Sequence, residues 1–350
     1  MNVRRLSILT CGIGILLSSI IISGGTVGCN TAEESSGSTL VLKVAHFMPA
    51  DTPYAVTYCD NLLDMVTERT EGHIRFEVYP AQQLFGVEDT LEMVGAGAAD
   101  IGFTITAYHA GKVPLCTGLE LPFAYYTMEE QVYKLREALP LLIEELEKFN
   151  CTSIGFVAST FTQIFTVDKA VTGIEDLEGL IIRGPGGYST MALNSLGAAT
   201  VSFPVSDIYL ALQKGTMDGI ATSTISVSSY KLGELIKHAT LVAYATHNGP
   251  IVFNLDTWNS LSEEMQRIFI EAAHDNAYET IATFAGLEDK ILDGLREDYN
   301  IEVHTLSREE RERWKAATAE VWDQWLADRV TEGLGNPARQ LIAILKKSTE

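Results

Sequence analysis

The sequence predicts an α/β protein, on three observations. Strand and helix signals alternate as β-α-β-α-β between residues 40 and 106. A second block of short strands and helices runs from residue 153 to 221. The last hundred residues are mainly helical. The first pattern predicts a doubly wound parallel sheet, which holds ligands beyond the carboxyl ends of its strands. The length of 350 residues, 46% hydrophobic and 20% charged, suits one large globular domain or two of moderate size.

The elements follow in order. Residues 40–46 (LVLKVAH) form a short β-rich run, and Asp51, Thr52 and Pro53 signal a turn and helix start. Residues 54–69 read as a helix, with Gly72 beyond its end. Residues 73–79 alternate, with Ile74, Phe76 and Val78 on one face and His73, Arg75 and Glu77 on the other, which predicts a strand. Residues 87–98 return to helix and 100–106 to strand. The second block offers strands at 153–157, 162–166, 180–183 and 218–221, and helices at 189–196 and 208–214. Ser262 can cap a helix exceeding thirty residues, roughly 45 Å, enough to cross two lobes. Residues 301–304 look like a strand, and residues 307–310 (SREE) form a capping box for the next helix.

The N-terminus reads as an export signal: Arg4 and Arg5, then an apolar stretch over residues 6–22, then small residues before Cys29. This pattern resembles a bacterial lipobox, with lipidated Cys29 as the mature N-terminus, although Thr26 stands where leucine is usual. A plain cleaved signal and an uncleaved anchor are the alternatives. Residues 30–39 read as a flexible tether.

Residues 1–28 hold two basic and no acidic residues, so the remainder carries 23 basic against 46 acidic residues, a formal charge of −23. Such a surface repels nucleic acid and anionic lipid, yet a local cationic pocket can still hold an anion. Three cysteines follow Cys29: Cys59, Cys116 and Cys151. One bridge is open to them, and buried free thiols are the favoured reading.

Catalytic motifs are missing. The seven histidines are scattered, with no HExxH, and there is no CxxC, GxSxG or GxxxxGK[ST]. Residues 184–187 (GPGG) lack dinucleotide spacing. Arg183 stands out, because it ends an apolar strand just before that turn and its planar fork suits a carboxylate. The alternative is an arginine paired with Glu175, Asp176 or Asp207.

A set of motifs occurs in order: residues 42–46 (LKVAH), 70–80 (TEGHIRFEVYP), 83–86 (QLFG), 97–101 (GAADI), 121–123 (LPF), 176–183 (DLEGLIIR), 196–198 (LGA) and 206–219 (SDIYLALQKGTMDG). By these the chain resembles the DctP-type solute receptors of tripartite ATP-independent periplasmic (TRAP) transporters, from about residue 40 to at least residue 285. The resemblance implies a two-lobed periplasmic-binding-protein fold with crossing hinge strands and a long bridging helix. Lobe I would hold residues 40–158 plus about 248–285, and lobe II residues 159–247 plus about 286–350. It also implies a non-enzymatic, cofactor-free, extracytoplasmic receptor that delivers its ligand to a membrane permease and touches the membrane only through Cys29. In the family, the arginine of the Gly-Leu-Lys-Ile-Arg motif binds the ligand carboxylate, and here that position is Arg183.

Departures from the family narrow the expectation. Gln163 falls where many relatives carry a second arginine. Ile220, Ala221, Thr222 and Ser223 replace a polar pair after Asp-Gly. Phe47, Met48 and Ile105 stand where some relatives are polar or acidic. The expected ligand is therefore a monocarboxylate with an apolar or aromatic body. Phe47, Tyr108, Phe161 and Tyr188 would face that body, and Thr106, Gln163, Thr222 and Asn248 would hydrogen-bond it. Some relatives use a metal at this site, but no clear ligand set for one is visible here. The competing readings are a sensing or buffering receptor without a transporter and, less favoured, an enzyme on the same scaffold.

Overall fold

The computed structural model describes residues 39–347. The expectations for the signal at 1–28, for lipidation at Cys29 and for most of the tether lie outside the described residues. Two sheets organise the chain. The first has the order β2-β1-β3-β10-β4, with β1 at Leu40–His46, β2 at Ile74–Tyr79, β3 at Ile101–Phe103, β4 at Cys151–Val157 and β10 at Gly249–Asn254. The second has the order β11-β9-β5-β8-β6-β7, with β5 at Thr162–Thr166, β6 at Ile181–Gly184, β7 at Ala199–Ser202, β8 at Gly219–Ser223, β9 at His238–Leu241 and β11 at Glu302–Thr305.

The sheets are mixed rather than purely parallel. β10 runs antiparallel to β3 and β4, and β5 runs antiparallel to β8 and β9. The cause is the chain path: β4 leads through residues 158–161 into β5, and β9 leads through residues 242–248 back into β10. Each crossing strand enters its new sheet against the direction of the others. Gly249 makes one crossing possible, since a Cβ there would sit 1.7 Å from the Thr104 carbonyl oxygen.

The third link is the helix Glu263–Tyr299. At 37 residues it spans roughly 55 Å. The Ser262 hydroxyl accepts from Met265 N, and Asn300 ends the helix at φ 56°, a left-handed stop. Its first half packs on β4 and the helix Asn61–Arg69, its second on the helix Thr224–Ser229 and β11.

Other expectations shift for physical reasons. Val78 of β2 is 36% exposed although it lies on the apolar face, because β2 is an edge strand. Ser307 accepts from Glu310 N as expected, but the Glu310 carboxylate takes Ile174 N, Trp314 and Arg313, so the capping box is half-formed. The C-terminal helices Ala319–Thr331 and Gly335–Lys346 do not keep to the second sheet, whereas Arg308–Ala317 bonds its flanking segments through Glu310 and Arg311. Trp325 and Arg329 bond Thr117, and Lys134 bonds the Leu345 carbonyl, which ties the former two to elements of the first. Cys59, Cys116 and Cys151 are buried free thiols. Among the described residues no helix is long and apolar enough to cross a membrane.

Candidate functional site

The strands of both sheets end around one cavity of about 60 Å³. A water needs roughly 10–15 Å³ on this measure, so the space suits a compact molecule. Phe47, Met48, Tyr54, Tyr58, Ile105 and Tyr108 line it from the first sheet's loops and opening helix. Arg183, Pro185, Thr222, Ser223, Ser226 and Tyr230 line it from the second, and Ser159 and His247 from the crossing segments.

Arg183 sits in β6 between Ile220 of β8 and Val201 of β7, and is 1% exposed. The chain turns away immediately, with Gly186 at φ 118° and Gly187 at φ 59°, values that side chains rarely adopt. Arg183 Nε donates to the Phe203 carbonyl at 3.0 Å, Nη2 donates to the same oxygen, and the guanidinium lies 5.7 Å from the Phe203 ring centre. That leaves three of five N–H groups without a protein acceptor among the described residues. No described carboxylate comes within 4.0 Å. Glu175 pairs with Arg313, Asp176 binds the Thr172 and Gly173 amides, and Asp207 accepts from Ser206. The three partners considered from sequence are thus committed elsewhere. A buried guanidinium without a counter-ion is costly, by several kcal/mol, until an anion joins it.

The neighbours do not add charge. Burial, then the Arg183 charge, holds His247 down at about 3, so its imidazole is neutral near pH 7. Its Nε2 lies 2.9 Å from Thr162 Oγ1, and its Nδ1 lies 4.0 Å from Glu120 Oε1. Burial pushes the Glu120 carboxyl well above its usual range, against the opposing pull of the Ala107 and Asn248 backbone groups. Arg183 is therefore the one cation that lines the cavity among the described residues.

Contacts also join the walls. Tyr54 Oη lies 2.6 Å from Ser223 Oγ, which donates to Ser226 Oγ, and Val205 N donates to Tyr108 Oη at 3.1 Å. Tyr54 and Tyr58 stack at 5.4 Å, and Phe47 meets Tyr108 edge-on at 6.4 Å.

Of the expected residues, Arg183, Phe47, Tyr108 and Thr222 come together here. The others do not line the cavity. Gln163 Oε1 accepts from Val242 and Ala243 amides, which braces a crossing segment. Asn248 accepts from Gln131 and donates to Leu119 and Thr246. Tyr188 donates to Asp328 at 2.6 Å and packs under Arg329. Phe161 packs on the main core, and Thr106 is fully buried, its hydroxyl unpartnered among the described residues. Sequence reasoning missed Tyr54, Tyr58, Ser223, Ser226, Tyr230 and His247. The i, i+4 tyrosines after Pro53 and the serines at 223, 226 and 229 were a readable signal, whereas His247 had none.

Three comparisons bear on this geometry. The family model for the bacterial extracellular solute-binding protein, family 7 (DctP), matches residues 44–328. The chain is 26% identical over 296 residues to the C4-dicarboxylate-binding periplasmic protein DctP of Rhodobacter capsulatus, covering 83% of this chain and 87% of that one. It is 28% identical over 285 residues to a monocarboxylate 2-oxoacid-binding periplasmic protein of Nostoc sp., covering 75% and 77%. A crystal structure of a TRAP solute-binding protein from an unidentified marine microbe, specific for aromatic acids and holding 3-hydroxybenzoate, superposes with a TM-score of 0.80 at 26% identity over 89% of this chain and 100% of that one. The chain belongs to the bacterial extracellular solute-binding proteins of family 7, the DctP-type receptors of TRAP transport.

Proposed function

We propose that this receptor captures a small monocarboxylate with an apolar or aromatic body, and that Arg183 is its carboxylate anchor. The observation that carries the reading is a 1% exposed guanidinium with three spare N–H groups and no carboxylate partner, facing a cavity walled by Phe47, Tyr54, Tyr58 and Tyr108. One carboxylate would satisfy the fork, while a second would meet neutral His247 and apolar Ile105. The relative that binds aromatic acids, and the one that binds monocarboxylate 2-oxoacids, support this reading over the C4-dicarboxylate relative. Closure follows from differential affinity: one lobe supplies the anchor, the other the apolar wall, and only the closed form makes both contacts. The loaded receptor then hands its ligand to a membrane permease, and Cys29 tethers it by a lipid.

A thermal-shift screen against carboxylates tests the specificity, because a ligand of the folded state raises its stability. Stabilisation by 3-hydroxybenzoate or a 2-oxomonocarboxylate is expected. Stabilisation by C4-dicarboxylates alone refutes the monocarboxylate reading.

A further inference from the structure

The outer edge of the second sheet gathers three side chains that play no part in the cavity. β9 and β11 pair in parallel, with Glu302 opposite His238 and His304 opposite Thr240. Glu302 and His304 are two residues apart on one strand, so they share a face. Glu302 Oε2 lies 3.3 Å from His238 Nδ1 and 3.7 Å from His304 Nε2, and the imidazole centres are 5.9 Å apart. One ligand atom from each residue fits within 4.8 Å of the other two. Both nitrogens are buried and have no hydrogen-bond partner among the described residues.

We propose that His238, Glu302 and His304 form a divalent-cation site of the zinc type. Two imidazoles and a carboxylate are a donor set that borderline-soft cations take, whereas calcium and magnesium prefer all-oxygen shells. Donors roughly 2.0–2.2 Å from a tetrahedral zinc stand about 3.3–3.6 Å from one another. The observed separations of 3.3 and 3.7 Å bracket that spacing, and the two imidazole nitrogens lie within 4.8 Å of each other. They are longer than the roughly 2.7–3.2 Å of a made N–H to oxygen hydrogen bond. The His238 and His304 side chains are 14% and 28% exposed against 66% for Glu302, so the carboxylate flank is the entry path and leaves a fourth position to water. The cation joins β11, an edge strand with β9 as its one strand neighbour, to the body of the sheet. It thereby fastens the segment that follows the bridging helix, away from the ligand cavity.

The test titrates Zn²⁺ into the full chain after chelation, by calorimetry and thermal melting, with Co²⁺ absorption as a readout of coordination. Stoichiometric binding, a raised melting temperature and a visible tetrahedral Co²⁺ band are expected. His238→Gln/His304→Gln should lose all three while binding 3-hydroxybenzoate as the parent does. Should that pair fold poorly, Glu302→Gln at an exposed position should weaken Zn²⁺ binding at least tenfold with an unchanged metal-free melting temperature. Absence of Zn²⁺ binding to the parent overturns the site. So does an undiminished Zn²⁺ response in the variants, which places the metal elsewhere. A melting temperature that ignores Zn²⁺ also overturns it.

Discussion

The two walls of the cavity are built from different material. The wall from the first sheet is aromatic, with Phe47, Tyr54, Tyr58 and Tyr108 locked by ring contacts. The wall from the second sheet is polar, with Arg183 buried beside Thr222, Ser223 and Ser226. Apolar burial is non-directional, so the first wall sets how large and how greasy a ligand can be. The guanidinium fork is directional, so the second wall sets where the carboxylate must point. A ligand that satisfies only one wall has no reason to bring the two together.

The sharpest way to break this comparison is at Arg183. Arg183→Ala should cost about 2–5 kcal/mol of binding, roughly 30-fold to several thousand-fold, because the ligand carboxylate would be buried unpaired. Its melting temperature without ligand should change little, since relief of a buried charge without a carboxylate partner offsets the lost bonds to the Phe203 carbonyl. Calorimetry and melting curves check both, and unchanged affinity refutes the anchor.

Next comes the aromatic wall. Phe47→Ala should weaken an aromatic acid by about 1.5 kcal/mol, or roughly tenfold, and affect acetate-sized acids less. Equal losses for both would mean that the ring shapes the loop rather than meeting the ligand.

A smaller effect is expected where the walls touch. Tyr54→Phe removes the bond to Ser223 and should cost about 0.5–1.5 kcal/mol, a few-fold in affinity, with a faster off-rate. Stopped-flow release measures it, and an unchanged off-rate detaches that bond from closure.

A separate effect, on stability rather than on binding, concerns pH. Burial holds His46 and His109 at about 4 and His247 at about 3, against 6.5 unfolded. The unfolded chain then binds more protons below 6.5, so stability is lost as pH falls through that window. Glu288 opposes this. Burial raises its carboxyl to about 7 from 4.5, so its contribution is present below 4.5 and lost as pH rises through 7. Melting temperature should drop between pH 6.5 and 4.5. His247→Gln should flatten that drop, and Glu288→Gln should steepen it.

Much of the fold was legible because local chemistry fixed it. Ser262 and Ser307 cap their helices, and residues 162–166 form the strand their pattern predicts. The antiparallel entry of β5 and β10 was not legible, since strand direction depends on where the chain crosses between sheets. The motif count to Gln163 pointed at a ligand contact, but the side chain braces Val242 and Ala243. Asn248 and Tyr188 were likewise claimed by partners far along the chain. His238 and His304 looked scattered because 65 intervening residues hide a strand pairing.

By itself, then, the sequence determined the α/β class, the long bridging helix and the candidate anchor, each written in local periodicity, caps or a contiguous motif. Only the tertiary structure decided which side chains share the cavity with Arg183. Contacts such as Tyr54 with Ser223, or His247 beside Arg183, join segments distant along the chain. Their meeting is set by how the sheets pack, and no nearest-neighbour signal records it.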